Sequence, residues 1–127
     1  YLFISHDMAV VKHVADEVAV MYLGQIVERA PRSAFFARPL HPYSVALMSA
    51  VPTVRGGRER AERRIRLTGD PPSPINPPPG CRFAARCPVA EPACRQTMPE
   101  LRELVPGQWV RCHRVEAVGA AIRRPLR

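Results

Sequence analysis

Four cysteines, Cys81, Cys87, Cys94 and Cys112, all lie in the C-terminal half of the chain, separated by five, six and seventeen residues. Four thiolates from one segment can close a tetrahedral site around zinc or take the corners of an iron–sulfur cluster. No C-x2-C pair occurs, so the pattern is not that of a zinc ribbon, and it matches neither ferredoxin spacing. Spacing alone leaves a metal site and disulfides or unpaired thiols equally open. Gly80 permits close backbone approach before Cys81, and Pro88 stiffens the chain after Cys87. Phe83, Val89 and Trp109 are candidates for the apolar cover a metal centre needs, and Arg82, Arg86 and Arg111 for offsetting thiolate charge. Each arginine taken singly reads equally well as a surface residue.

His6 is the other chemically suggestive residue. It follows the apolar run Tyr1 to Ile4 and precedes a helical pattern, the place where open α/β sheets bind ligands. An imidazole there can donate to a phosphate oxygen. On spacing alone, a structural histidine is the favoured reading. His41 and Tyr43, in Pro39-Leu40-His41-Pro42-Tyr43, are not spaced as a catalytic pair and read as packing residues.

The elements that must position these groups follow from periodicity. Tyr1 to Ile4 reads as a short buried strand and Asp7 as a helix N-cap. Met8, Val11, Ala15 and Val18 keep helical spacing, with the helix ending near Asp16. Val18 to Tyr22 and Gln25 to Arg29 read as a hairpin turning at Leu23-Gly24. Both its faces are apolar, so cover on both sides is expected. Two short helices follow, from about Ser33 to Ala37 and from Pro42 through Ala50. Proline suits the first turn of the second, where its missing N–H is not needed, and Tyr43 and Leu47 lie one turn apart on an amphipathic helix. Six of the nine residues 71–79 are proline, which predicts an extended, stiff arm. The tail from Glu116 carries no signal.

Apolar content of 46% is ordinary, but Val, Ala, Leu and Met crowd residues 1–52 while Arg and Pro dominate 55–127. The first half alone would leave an incomplete core. The start at Tyr1, in an apolar run, reads as that of a fragment whose beginning lies upstream. No apolar run approaches the roughly 20 residues needed to cross a bilayer. Net charge is +8, with arginine supplying 18 of the 19 basic residues. The Arg-rich stretch 55–66 has no interleaved aromatic side chain to stack on bases, so a solvated linker is expected and no nucleic-acid partner.

Phe3-Ile4-Ser5-His6-Asp7-Met8, followed by Val20-Met21-Tyr22-Leu23-Gly24-Gln25-Ile26-Val27-Glu28, closely resembles the end of an ABC-type ATPase domain. Pro39-Leu40-His41-Pro42-Tyr43 resembles the His-Pro-Tyr stretch of oligopeptide and dipeptide importer ATPases. Gly69-Asp70-Pro71-Pro72-Ser73-Pro74, Gly80-Cys81-Arg82-Phe83, Arg86-Cys87-Pro88, Cys94 and Val110-Arg111-Cys112-His113 resemble the C-terminal extension of that family, and the likeness runs from residue 1 to about 115. It implies an α/β fragment: the C-terminal end of a P-loop ABC ATPase domain (1–32), a helical segment (33–54), an Arg-rich linker (55–66), a small irregular Cys-rich extension (67–115) and a tail (116–127).

By the same resemblance His6 is the switch histidine that contacts the ATP γ-phosphate, with magnesium as companion ion. The Walker A, signature and Walker B motifs would precede Tyr1, so the chain by itself is expected not to hydrolyse ATP. In some members four cysteines hold a 4Fe-4S cluster, a role that falls here on Cys81, Cys87, Cys94 and Cys112, with zinc as the alternative. Gln108 stands where relatives often have histidine, and His113 is a substitute ligand placed below Cys112. The implied partners are a second ABC ATPase subunit, two transmembrane permeases and, indirectly, a solute-binding protein. The implied location is the cytoplasmic face of the plasma membrane. The solute would be a peptide or a related small solute such as nickel. The competing reading is a small metal-binding interaction module without ATPase activity, which accounts for the cysteines but not for the strand-His-helix-hairpin opening.

Overall fold

The computed structural model describes residues 1–52 and 64–116. Asp7 begins the first helix, α1 (Met8–Val14), because its carboxylate accepts the free first-turn N–H groups of Ala9 and Val10 at 2.9 and 3.3 Å. The chain then forms an antiparallel hairpin of β1 (Glu17–Tyr22) and β2 (Gln25–Pro31). Leu23 and Gly24 both take positive φ, 46° and 75°. That is the geometry a two-residue hairpin loop requires, and its twist matches that of the strands. Next come α2 (Arg32–Ala37) and α3 (Pro42–Ala50). A long irregular segment leads to α4 (Pro92–Gln96) and a second hairpin of β3 (Arg102–Val105) and β4 (Gln108–Val110).

The two hairpins make one four-stranded antiparallel sheet in the order β1-β2-β4-β3. β4 joins β2 through Glu28 opposite Val110 and Arg29 opposite Trp109. Residues far apart in sequence thereby share one sheet, and the cysteine-bearing segment is docked on the hairpin.

The register of β1 on β2 shifts between Val20 and Met21, which leaves Val27 as an extra residue on β2. A bulge of this kind re-aims side chains. Here it lets Val27 and Glu28, neighbours in sequence, both be buried, with Ala30 following on the inner face. Val18, Val20 and Tyr22 supply the β1 side of that core, joined by Phe35 from α2 and Phe83 from the irregular segment. A smaller cluster of Leu40, Val110, Cys112 and Val115 continues it beneath β4.

Several sequence expectations change. Tyr1 to Ile4 is not a strand, and Tyr1, Leu2 and Ile4 are almost fully exposed. A buried strand needs ladder partners and cover, and the described residues provide neither. The hairpin is covered on one face only, because no described element lies over Ala19 and Met21. Helix α3 is not simply amphipathic: Pro42, Ser44 and Ala46 are buried, and Tyr43, Val45, Leu47 and Met48 partly so. The β3–β4 hairpin is absent from the sequence reading. The expected helices at about 33–37 and 42–50 are present, and 71–79 has neither helix nor strand. Most of the Arg-rich stretch and the tail lie outside the described residues. No helix among the described residues is long and apolar enough to cross a membrane.

Candidate functional site

The four cysteines, spread over 32 positions from Cys81 to Cys112, line a single small cavity together with His41, Pro42, Phe83 and Ala84. Several local devices bring them there. Gly80 passes so close to the next segment that a Cβ on it would collide with the Cys94 carbonyl and the Arg95 backbone. This contact lets the Cys81 N–H donate to the Cys94 carbonyl at 2.7 Å. Two successive turns, Ala84 N–H to the Cys81 carbonyl and Cys87 N–H to the Ala84 carbonyl, then wrap Cys81 and Cys87 around Phe83. Cys94 sits on α4, and Cys112 lies two residues beyond the end of β4.

Each sulfur meets backbone N–H groups. The Arg114 N–H donates to Cys112 Sγ at 3.3 Å and the Glu91 N–H to Cys94 Sγ at 3.5 Å. The N–H groups of Phe83 and Ala84 favour the Cys81 thiolate, and that of Val89 the Cys87 thiolate. In three cases the donor lies two residues after the cysteine. Donors aimed at sulfur favour the charged form.

At Cys81, Cys87 and Cys112 burial works the other way and wins. Desolvation pushes the Cys81 thiol up, Cys87 to about 11 and Cys112 to about 12, with the neighbouring cysteines adding to the rise. All four are free thiols, and a thiol held at such values is a poor nucleophile at neutral pH. In the reduced, metal-free chain Cys87 and Cys112 are expected to alkylate with iodoacetamide at pH 8 about tenfold or more slowly than an exposed thiol. That figure allows for the higher intrinsic nucleophilicity of a high-pKa thiolate. Labelling at the rate of a model thiol would show that the cavity is open to water.

His41 forms part of the cavity wall and is 1% exposed. It is the N-cap of α3, its Nδ1 accepting the Tyr43 N–H at 3.1 Å. Burial lowers its pKa to about 3, against a smaller opposing effect of a hydrogen bond to the Arg111 backbone. The ring is therefore neutral. Behind it stands Glu28, fully buried, whose two carboxylate oxygens accept the N–H groups of Leu40 and His41, each at 2.8 Å. Desolvation raises the Glu28 pKa, and interactions with Ser44, His41 and Leu40 restrain the rise. The Ser44 hydroxyl stands near enough to this carboxylate to favour its charged form, although among the described residues it meets no partner in full hydrogen-bonding geometry. The bulge that turns Glu28 inward is itself fastened by Arg111. Its N–H donates to the Val27 carbonyl at 2.8 Å and its Nε to the Ile26 carbonyl at 3.1 Å.

Aromatic rings fill the space between hairpin, α3 and cysteine segment. Phe83 meets Tyr22, Tyr43 and His41 at centroid separations of 5.2, 5.4 and 5.7 Å, and Tyr22 meets Tyr43 edge-on at 4.8 Å. Arg82 donates to the Leu23 carbonyl, tying the cysteine segment to the hairpin turn.

The cavity encloses only about 10 Å³, about the least that admits one water. Among the described residues no group of three or more His, Cys, Asp or Glu side chains is arranged to hold a metal ion. The donor chemistry fits a four-thiolate centre: four sulfurs on one cavity, backbone N–H groups on each, and Phe83 as apolar wall.

His6 is exposed and is not among the cavity residues. Trp109 does not line the cavity either, since it lies on β4 opposite Arg29 and Glu103. Arg82 and Arg111 chiefly fasten backbone, although the Arg111 charge also favours the Cys81 thiolate. Gln108 is buried on β4 and lies away from the cavity lining. His113 reaches the lining, with its Nε2 at 2.9 Å from the Thr97 carbonyl. Sequence reasoning missed Glu28 as a functional group. Its signal was a carboxylate directly after Ile26-Val27 within a strand, where a buried charge needs partners.

Residues 27–94 match the family described as oligopeptide/dipeptide transporter, C-terminal region. Over 113 residues, 89% of this chain and 34% of the relative, the sequence is 50% identical to the oligopeptide transport ATP-binding protein AppF of Bacillus subtilis (strain 168). Over 120 residues, 94% of this chain and 33% of the relative, it is 52% identical to a Sinorhizobium fredii protein named "Probable peptide ABC transporter ATP-binding protein". The chain thus spans about a third of the length of these curated relatives.

Proposed function

The chain belongs to the oligopeptide/dipeptide transporter C-terminal region family, and from that membership we propose that its residues form the C-terminal part of an ATP-hydrolysing subunit that powers ABC-type import of oligopeptides or dipeptides, or of a related solute such as nickel. The observation that carries this reading is the 50–52% identity, over nearly all of the chain, to relatives named as oligopeptide or peptide transport ATP-binding proteins. Residues 1–32 are then the end of the P-loop ATPase domain and 67–115 its extension. His6, on the exposed turn ahead of α1, is the switch histidine facing the γ-phosphate of magnesium-bound ATP. The subunit pairs with a second ATPase and two membrane permeases at the cytoplasmic face of the membrane, and a solute-binding protein delivers the solute. The 127 residues contain no Walker A motif, so ATP hydrolysis is a property of the intact subunit. In that subunit, His6→Ala is expected to abolish ATP hydrolysis and peptide uptake while nucleotide binding persists. An unchanged hydrolysis rate would remove His6 from the site.

Cys81, Cys87, Cys94 and Cys112 hold a four-thiolate metal centre in this reading, a 4Fe-4S cluster in the first place and zinc in the second. A cluster would supply electron exchange or a rigid clamp, whereas zinc would supply the clamp alone. The chain's own contribution is the gathering of four thiols, the backbone N–H groups that favour their charged forms, and the exclusion of water by Phe83 and Pro42. Anaerobic purification decides between the guests. A brown product with stoichiometric iron and sulfide, bleached by dithionite and lost on Cys94→Ser, identifies the cluster. A colourless product with one zinc identifies the alternative, and a metal-free product removes the centre.

A further inference from the structure

His41 serves two structures at once. Its Nδ1 closes the first turn of α3, while its ring belongs to the wall of the cavity the four cysteines line. A helix cap needs only an acceptor, and Ser, Thr, Asp or Asn supplies one without a buried ring. The ring is also held more firmly than capping requires. Glu28 fixes the peptides on both sides of Leu40, its fully buried carboxylate accepting the N–H groups of Leu40 and His41. Phe83, two residues after Cys81, packs at 5.7 Å from the imidazole. Arg111, whose backbone faces the imidazole, precedes Cys112 and fastens the β2 bulge that aims Glu28 inward. Bulge, carboxylate, imidazole and cysteines thus form one continuous set of contacts.

We propose that His41 is a positioning residue of the cysteine centre: its imidazole, held by Glu28, shapes the wall against which the four thiols gather around a metal. This inference rests on the reading of the four cysteines as a metal centre and assigns the His-Pro-Tyr segment its part in it. Groups that orient metal ligands without touching the metal typically change affinity 10- to 100-fold when removed.

The test uses the full 127-residue chain, reduced, with zinc competed against a chromophoric chelator and thermal unfolding followed on the metal-free protein. His41→Ala is expected to lose both melting temperature and zinc affinity. His41→Asn keeps an acceptor for the Tyr43 N–H and is expected to recover most of the melting temperature while binding zinc about 10- to 100-fold more weakly than wild type. Glu28→Gln is expected to weaken zinc binding in the same direction with His41 intact. Wild-type affinity in His41→Asn would overturn the inference and reduce the ring to a cap, leaving the metal centre in place. A wild-type chain that takes up neither zinc nor a reconstituted iron–sulfur cluster would overturn the metal centre and this inference together.

Discussion

Phe83→Ala is expected to destabilise the chain by about 3–5 kcal/mol, the cost of deleting a buried phenylalanine from a core that cannot collapse around the gap. Phe83 is 1% exposed and is the one aromatic side chain that the cysteine segment inserts between the hairpin and α3. Its loss removes contacts to Tyr22, Tyr43 and His41 together, and the edge-to-face pair with Tyr22 adds about 0.5–1.5 kcal/mol beyond area burial. The cysteine site should suffer in proportion, because the Cys81 and Cys87 turns wrap around this ring and its own N–H serves the Cys81 sulfur. Phe83→Leu keeps most of the volume and is expected to cost less than about 1.5 kcal/mol. Urea unfolding of the two variants and the wild type measures both values. A cost for Phe83→Ala below about 1 kcal/mol would mean that the cysteine segment is not docked on the hairpin.

The helix start, the hairpin turn and the two short helices of the first half were legible because their signals are local. Asp7 before an apolar stripe, Leu23-Gly24 between two apolar runs and Pro42 at the start of a helix each act within a few residues, and each feature is present. The sheet as a whole was not legible. Its second hairpin was announced only by Pro106-Gly107 between Leu104-Val105 and Trp109-Val110, and its pairing with β2 joins positions about eighty residues apart. No periodicity reports such a contact.

The four cysteines were legible as residue types, and the fold brings all four to the lining of one cavity. Their cover was read less well. Phe83 lines the cavity, but Trp109 is directed elsewhere by the alternation of β4, a strand that was not foreseen. The part played by Glu28 depended on a bulge. Without the extra residue, strict alternation would have put Val27 and Glu28 on opposite faces. A bulge leaves no reliable mark in a single sequence.

That same pair of buried groups, Glu28 and His41, gives the second large expected effect, a stability that depends on pH with two opposed contributions. His41 has its pKa lowered from 6.5 to about 3 in the folded chain. Between those values the unfolded chain binds a proton that the folded chain refuses, so stability rises with pH and is lost on acidification. At 1.36 kcal/mol per pKa unit, the loss between pH 6.5 and 3 is roughly 4 kcal/mol. Glu28 acts in the other direction. Its folded pKa is raised above 4.5, so the folded chain keeps a proton that the unfolded chain releases. Its contribution is complete below 4.5 and lost as pH rises through the folded value. The Glu17–Arg29 pair adds a little acid sensitivity of the same sign as His41, but it is exposed and screened. Just above pH 4.5 the two buried groups oppose each other, and below it His41 acts without that opposition. The metal-free, reduced chain is therefore expected to lose stability on acidification below pH 6.5, with the loss slowed just above pH 4.5, where Glu28 opposes it, and steep below. His41→Asn should flatten the whole acid limb, whereas Glu28→Gln should steepen its upper part by removing the opposing contribution. Denaturation midpoints of the three proteins at half-unit pH steps from 3.5 to 7 test this, and an acid limb in His41→Asn as steep as wild type would show that the buried imidazole is not its source.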